Sequence, residues 1–232
     1  MISENVSSCS SKNLSFHFAF CFFLKTSFTQ IPVREEPRHH VALQNNYIRL
    51  LDVWLPVGDT TLFHVHEIPS LFVILSKTVT ESQVKGENWV RGAFTFPPGY
   101  AWYNDFKNGP LIHRVCNVDT IPFHVMDIEI LSNYNKNNNQ LSPLPFDTLF
   151  TNEKAFAYYV NLLNKEDKKI IEHRGPMAAI VVSGPGLIMQ NQKDKKQQTI
   201  LQGKFLWIEP GANCSIQNNG TDETSVVIFE LK

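Results

Sequence analysis

The chain lacks the features that would tie it to a nucleic acid, a bilayer core or a disulfide framework. Charge of one sign is missing: 21 Lys and Arg stand against 22 Asp and Glu, for a net charge of −1. With no basic run, nucleic acid and anionic lipid are set aside as partners. No apolar stretch approaches the twenty or so residues that a membrane-spanning helix requires. The most apolar one, Leu14 to Leu24, is about half that length. Cysteine is scarce, with four in the chain and no CxxC pair. Cys116 and Cys214 lie about a hundred residues apart, which excludes a disulfide-rich scaffold and a zinc knuckle. Both read as buried apolar thiols.

What is present is a β-rich globular chain. Thirteen prolines and eleven glycines separate many short runs rich in Val, Ile and Phe. Hydrophobic residues make up 43% and charged residues 19%, enough for a sizeable core in one large or two small domains. The first thirty residues differ from the rest. Leu14 to Leu24 suits the apolar region of a signal peptide, flanked by Lys12 and by "TSFTQ" as a cleavage region. Residues 1–30 therefore read as a signal peptide, Cys9 and Cys21 leaving with it, and the mature chain as secreted or periplasmic, without membrane insertion. His17, Glu4 and Lys25 fit that reading poorly. The alternative is a loosely packed N-terminal arm on a cytoplasmic protein.

The remainder repeats itself. "SNYNKNNNQLSPLP" (132–145) has the composition of a linker. On either side of it, "NNYIRLLDVWL" (45–55) matches "NEKAFAYYVNL" (152–162), and "HEIPSLFVILS" (66–76) matches "HRGPMAAIVVSG" (173–184). "GAFTFPPG" (92–99) matches "GKFLWIEPG" (203–211), and "VMDIEILS" (125–132) matches "VVIFELK" (226–232). Four collinear matches indicate a duplicated unit of roughly a hundred residues. The near-continuous apolar runs "LFVIL" and "AAIVV" read as strands buried on both faces. Residues 148–167 admit a helical reading, but the repeat makes at least 155–163 a strand.

Within "GDTTLFHVHE" (58–67), His64 and His66 sit one residue apart. On a strand, residues i and i+2 share a face, so Leu62, His64 and His66 would line one side. Two neutral imidazoles on a stiff strand can begin a metal site, or can stand on a solvated strand face.

Taken with the downstream residues, this stretch resembles the cupin superfamily. Its first motif, a Gly, five residues and HxH, is matched by Gly58 to His66. Its second, a Gly, a PxG turn, a His and then an Asn, is matched by Gly92, Pro97, Gly99, His113 and Asn117. The resemblance implies an all-β fold of two double-stranded β-helix (jelly-roll) cupin barrels in tandem, a bicupin. Barrel 1 spans 37–131, a linker 132–147, and barrel 2 148–232. It further implies a divalent metal ion (Fe, Mn, Zn or Ni) held by His64, His66 and His113.

Two departures stand out. The motif's Glu should fall at Ser70 or Leu71 and is absent, and the usual spacing after the PxG turn reaches Trp102 rather than a histidine. His113 then serves as a ligand if "YAWYNDFKNGPLI" (100–112) is an inserted loop and the strand resumes at Leu111. The second unit has lost its site: Ile171 replaces the first histidine, His173 remains, and Ser215 stands in the place of His113. His173 reads as a hydrogen-bonded core or cleft residue.

A three-histidine site leaves the bound ion its full charge. That suits Fe(II) with an anionic substrate and O₂, as in the thiol dioxygenases among three-histidine cupins, or Zn, Mn or Ni as a Lewis acid. The functional reading is a metal-dependent oxygenase, isomerase or lyase acting on a small polar molecule. The alternatives are a non-enzymatic small-molecule binder and a structural bicupin with a degenerate site. A homodimer is compatible with either. Trp102 and Tyr103 are candidates for a substrate pocket, or simply anchor their loop. His39 and His40 read as a surface pair, His124 as packed or edge-exposed, and Asp127 and Glu129 as a solvated strand face.

Overall fold

The computed structural model describes residues 30–92, 96–134, 142–165 and 168–232. The expected signal peptide lies outside the described residues. The first half comprises β1 (Ile31–Pro32), a 3-10 turn (Val33–Glu35), β2 (His39–Gln44), β3 (Ile48–Leu55), β4 (His64–His66), β5 (Ser70–Ile74), β6 (Thr80–Val84), β7 (Val90–Arg91), β8 (Ala101–Asn104), β9 (Leu111–Asn117) and β10 (Phe123–Ile130). The second half comprises β11 (Asp147–Thr151), β12 (Ala155–Leu162), β13 (Lys168–Ile171), β14 (Met177–Ser183), β15 (Leu187–Asn191), β16 (Gln197–Ile200), β17 (Phe205–Ile208), β18 (Cys214–Asn218) and β19 (Thr224–Leu231). Among the described residues there is no α-helix. Residues 155–162 are a strand, as the repeat requires.

Each half is a two-sheet sandwich. The first pairs the sheet β1-β4-β9-β6-β7 with β2-β3-β10-β5-β8; the second pairs β13-β18-β15-β16 with β11-β12-β19-β14-β17. Strands β3, β5 and β10 carry buried apolar side chains on both faces because both faces are covered. Leu51, Val53, Ile74 and Val125 point into the first sandwich. Ile48, Leu50, Leu71, Val73, Met126 and Ile128 point the other way, into a core shared with Ala155, Ala157, Ala178, Ile180, Val227 and Phe229 of the second. The inner sheets of the two halves therefore meet face to face.

Equivalent hydrogen bonds fix the repeat. The Ile130 N–H donates to the Pro69 carbonyl as the Leu231 N–H donates to that of Pro176. Asn117 Nδ2 donates to the Leu55 and Ile121 carbonyls, and Asn218 Nδ2 to those of Leu162 and Asp222. Three of the four sequence matches keep their register. The third does not. The Gly99 N–H bonds Ile74 O and the Gly203 N–H bonds Val181 O, so Gly99, not Gly92, is the counterpart of Gly203. Both hold positive φ, where glycine carries no Cβ penalty. Each also packs against the other half: a Cβ on Gly99 would meet Tyr159, and one on Gly203 would meet His124.

Two further expectations change. Residues 100–112 are not one inserted loop: 101–104 form β8 against β5, and the loop is 105–110. The first sandwich also begins before residue 37, since β1 pairs in parallel with β4 and Val33 is buried in its core.

Candidate metal centre

Strand β4 is short but placed between β1 and β9, with His64 directly opposite His113. Alternation sends His64, His66 and His113 to the interior face. Leu62, which the period would add to this face, precedes the strand and is exposed. His64 Nε2 lies 3.1 Å from His66 Nε2, which lies 3.1 Å from His113 Nε2. Bond lengths near 2.0–2.2 Å to one ion place neighbouring ligand nitrogens about 3 Å apart.

A fourth imidazole, His39, completes the cluster and is buried where its sequence context suggests a surface position. Its ring centroid is 4.6 Å from that of His64. Ligating atoms of His39, His64 and His66 all lie within 4.8 Å of one another. Its neighbour His40 is exposed, as expected of the next residue on a strand. Glu36 explains the burial of His39. This carboxylate accepts bonds from His39 Nδ1 (2.6 Å), the Arg38 N–H (2.6 Å) and the Leu62 N–H (3.1 Å). Burial raises its pKa, but these donors outweigh it and leave the group below the usual range. With Nδ1–H given to Glu36, Nε2 of His39 is the atom left for the site. The signal in "REEPRHH" was the Glu three residues before a strand histidine.

Burial makes all three sequence-predicted imidazoles neutral. Lost hydration, followed by repulsion from neighbouring histidines, pushes His64 down to about 3, His66 to about 2 and His113 to about 4. His64 Nδ1 is oriented by the Leu62 carbonyl at 2.9 Å. His66 Nδ1 faces Asp127 Oδ2 at 3.4 Å; neither atom has a hydrogen-bond partner among the described residues. Asp127 is on β10, across the sandwich, and is fully enclosed rather than solvated as the sequence suggested. Burial, then the charge of Glu129, drives its pKa well above the usual carboxyl value. Ser70, the nearby hydroxyl, donates instead to the Ile68 carbonyl. Glu129 is also buried, paired with Arg49.

The centre opens on a cavity of about 380 Å³ bounded by apolar side chains including Val53, Ile74, Val115 and Phe123. Trp102 lines it, stacked on Phe72 at 4.7 Å and 9°. Tyr103, the other candidate, points to the opposite face of β8, packs in the core between the halves and reaches Glu153. Phe106, which no sequence motif marks, also borders the site. Held at φ +52° in the β8–β9 loop, it stacks on His66 at 5.6 Å and 18°. His124 is packed, bonded to Asp52 at 2.7 Å and stacked on Trp54.

The second half has no equivalent site among its described residues. Ile171 pairs with Cys214 as His64 pairs with His113, so Cys214, not Ser215, takes the place of His113. Cys214 is a buried thiol, pushed up to about 11 by burial, whereas Cys116 is only half-buried. His173 is exposed at φ +52°, outside β13, and is neither a core nor a cleft residue.

No known family model matches the sequence, and no curated protein matches it. Solved structures do. AerE from Microcystis aeruginosa is similar over 85% of this chain and 98% of its own, at 11% identity and a TM-score of 0.53. A salicylate 1,2-dioxygenase from Pseudaminobacter salicylatoxidans covers 80% of this chain with 71% of its own, at 9% identity and TM-score 0.54. An oxalate decarboxylase from Lactobacillus farciminis covers 80% with 77% of its own, at 9% identity and TM-score 0.53. At such identities the likeness shows the fold alone: the duplicated double-stranded β-helix (jelly-roll) architecture that the sequence resemblance implies.

Proposed function

We propose that the N-terminal barrel is a metal-dependent enzyme centre, in which His64, His66 and His113 hold a divalent transition-metal ion beside a small-molecule cavity. The convergence of three neutral Nε2 atoms at 3.1 Å spacing carries this reading. The donor set fits the ion: imidazole suits Fe, Mn, Zn and Ni, and unprotonated ring nitrogens are what such an ion requires. When bound, the ion supplies Lewis acidity or, if iron, a site for O₂ chemistry. The protein's own groups set the stage. Glu36 and the Leu62 carbonyl fix the tautomers of His39 and His64. Phe106 and Phe72 flank His66 and exclude water from it. His39, adjacent to His64, serves as a fourth ligand or as a donor to whatever the ion binds.

Oxygenase, isomerase and lyase chemistry are all compatible with an ion held by neutral ligands. The test is the metal content of the full chain, purified without a histidine tag. About one equivalent of a transition metal per chain supports the reading. A metal-free protein that also fails to take up added Fe(II), Mn(II), Zn(II) or Ni(II) overturns it, and leaves the cavity as a binding module.

A further inference from the structure

We infer that the cavity takes a small, flat, apolar molecule carrying a single anionic group, which faces the histidine cluster, and no second charge. This deepens the metal-centre reading and rests on it for the polar end only. Among the described lining residues there is no Lys or Arg. Arg114 does not reach in: it is adjacent to the inward-facing His113 and Val115 and lies over the outer rings of Phe63 and Trp89.

A second carboxylate or a phosphate deep in this space would meet Val53, Leu55, Ile74, Val115, Phe123 and Val125, with no counter-charge. Burying such a group unpaired is prohibitive. Apart from the histidine cluster and Asp127 beside His66, the polar side chains of the described lining are neutral hydroxyls, Thr61, Thr78, Thr80 and Ser82. The ligand's one negative charge is therefore directed to the metal end. The parallel pair Phe72–Trp102 supplies a flat face on which a ring can lie. At about 380 Å³ the space is at the small end of small-molecule pockets, about 300–1,000 Å³. The inferred ligand narrows the expected small polar molecule to one with a polar head and an apolar body.

The test uses the full chain loaded with Co(II) and three probes: benzoate, acetate (the same head without the ring) and terephthalate (the same ring with a second charge). Calorimetry is expected to give benzoate at least tenfold tighter binding than either, and the Co(II) absorption spectrum should shift on addition of benzoate. Trp102→Leu should bring benzoate to within a few fold of acetate with metal content unchanged. Thr80→Lys, a substitution at a half-exposed wall position, should recover terephthalate binding. The inference is overturned if acetate or terephthalate equals benzoate in the unaltered protein, or if neither variant changes the order. If Co(II) does not bind, the metal reading has failed by itself. The apolar-body inference is then decided on the metal-free chain with benzyl alcohol against ethanol, monitored by Trp fluorescence and saturation-transfer NMR. Equal binding of the two alcohols refutes it, and a ring preference upholds it.

Discussion

One half of this molecule is hollow and the other is filled. In the C-terminal barrel, Tyr158, Leu162, Ile171, Met177, Leu206, Ile216 and Ile228 close the interior. In the N-terminal barrel the interior cluster among the described residues is smaller, Val33, Leu51, Val53, Ile74 and Val125 with Trp102 and Phe123 packed against it, and a cavity occupies the space beside it. The equivalences are specific. His64, His113, Asp127 and Trp102 of the hollow barrel correspond by register to Ile171, Cys214, Ile228 and Leu206 of the filled one. The same strands thus build either a site or a core, according to whether the inward positions carry imidazoles and a carboxyl or aliphatic groups. A packed interior stabilises the chain, and its neighbour is free to keep polar groups that packing alone would not select.

The largest expected effect separates the two halves by metal content. His66→Ala should abolish bound metal in the full chain, measured by elemental analysis, while His173→Ala, at an exposed position, leaves it unchanged. Equal loss in both would break the comparison. Next is packing. Leu206→Ala opens a void in a closed core and should cost about 3 kcal/mol in denaturant unfolding. Trp102→Ala, at the equivalent position beside an existing cavity, should cost less than half as much despite removing a larger side chain. Ile171→His tests whether the filled barrel tolerates a site residue. It places an imidazole among apolar neighbours and should lower stability by about 2–3 kcal/mol without recruiting metal.

Smaller effects refine the hollow half. Glu36→Gln weakens the acceptor that orients His39 and should raise the metal dissociation constant about tenfold, or about 1.4 kcal/mol. Finally, the metal-free protein should lose stability on acidification. His64, His66 and His113 are held below their unfolded value of 6.5, so below that pH the unfolded chain binds more protons than the folded one, and stability falls. Asp127 and Glu129, raised by burial, act in the opposite sense. The net loss between pH 7 and pH 5.5 should be on the order of 1–2 kcal/mol. A His66→Leu variant should show a shallower dependence in pH-resolved thermal melts, and an unchanged slope would contradict the assignment.

What the sequence determined by itself is the set of patterns that local chemistry writes directly. Alternation and apolar runs specified strands, the duplication specified two barrels, and "HVH" with a downstream HxxxN brought His64, His66 and His113 to one face. Tertiary structure decided what depends on residues distant in the chain. "REEPRHH" is polar, and although Glu36 stands three residues before His39, its burial depends on a bond from the distant Leu62 N–H, which no local pattern reveals. Asp127 and Glu129 alternate with apolar residues as a solvated strand would, and only the opposing sheet encloses them. The glycine–proline turns matched a plausible but displaced register, because turn composition repeats while hydrogen-bond pairing is unique. The cavity is beyond any linear reading: whether an inward face is filled or empty depends on the summed volume of side chains from both sheets, and that sum exists only once they are packed.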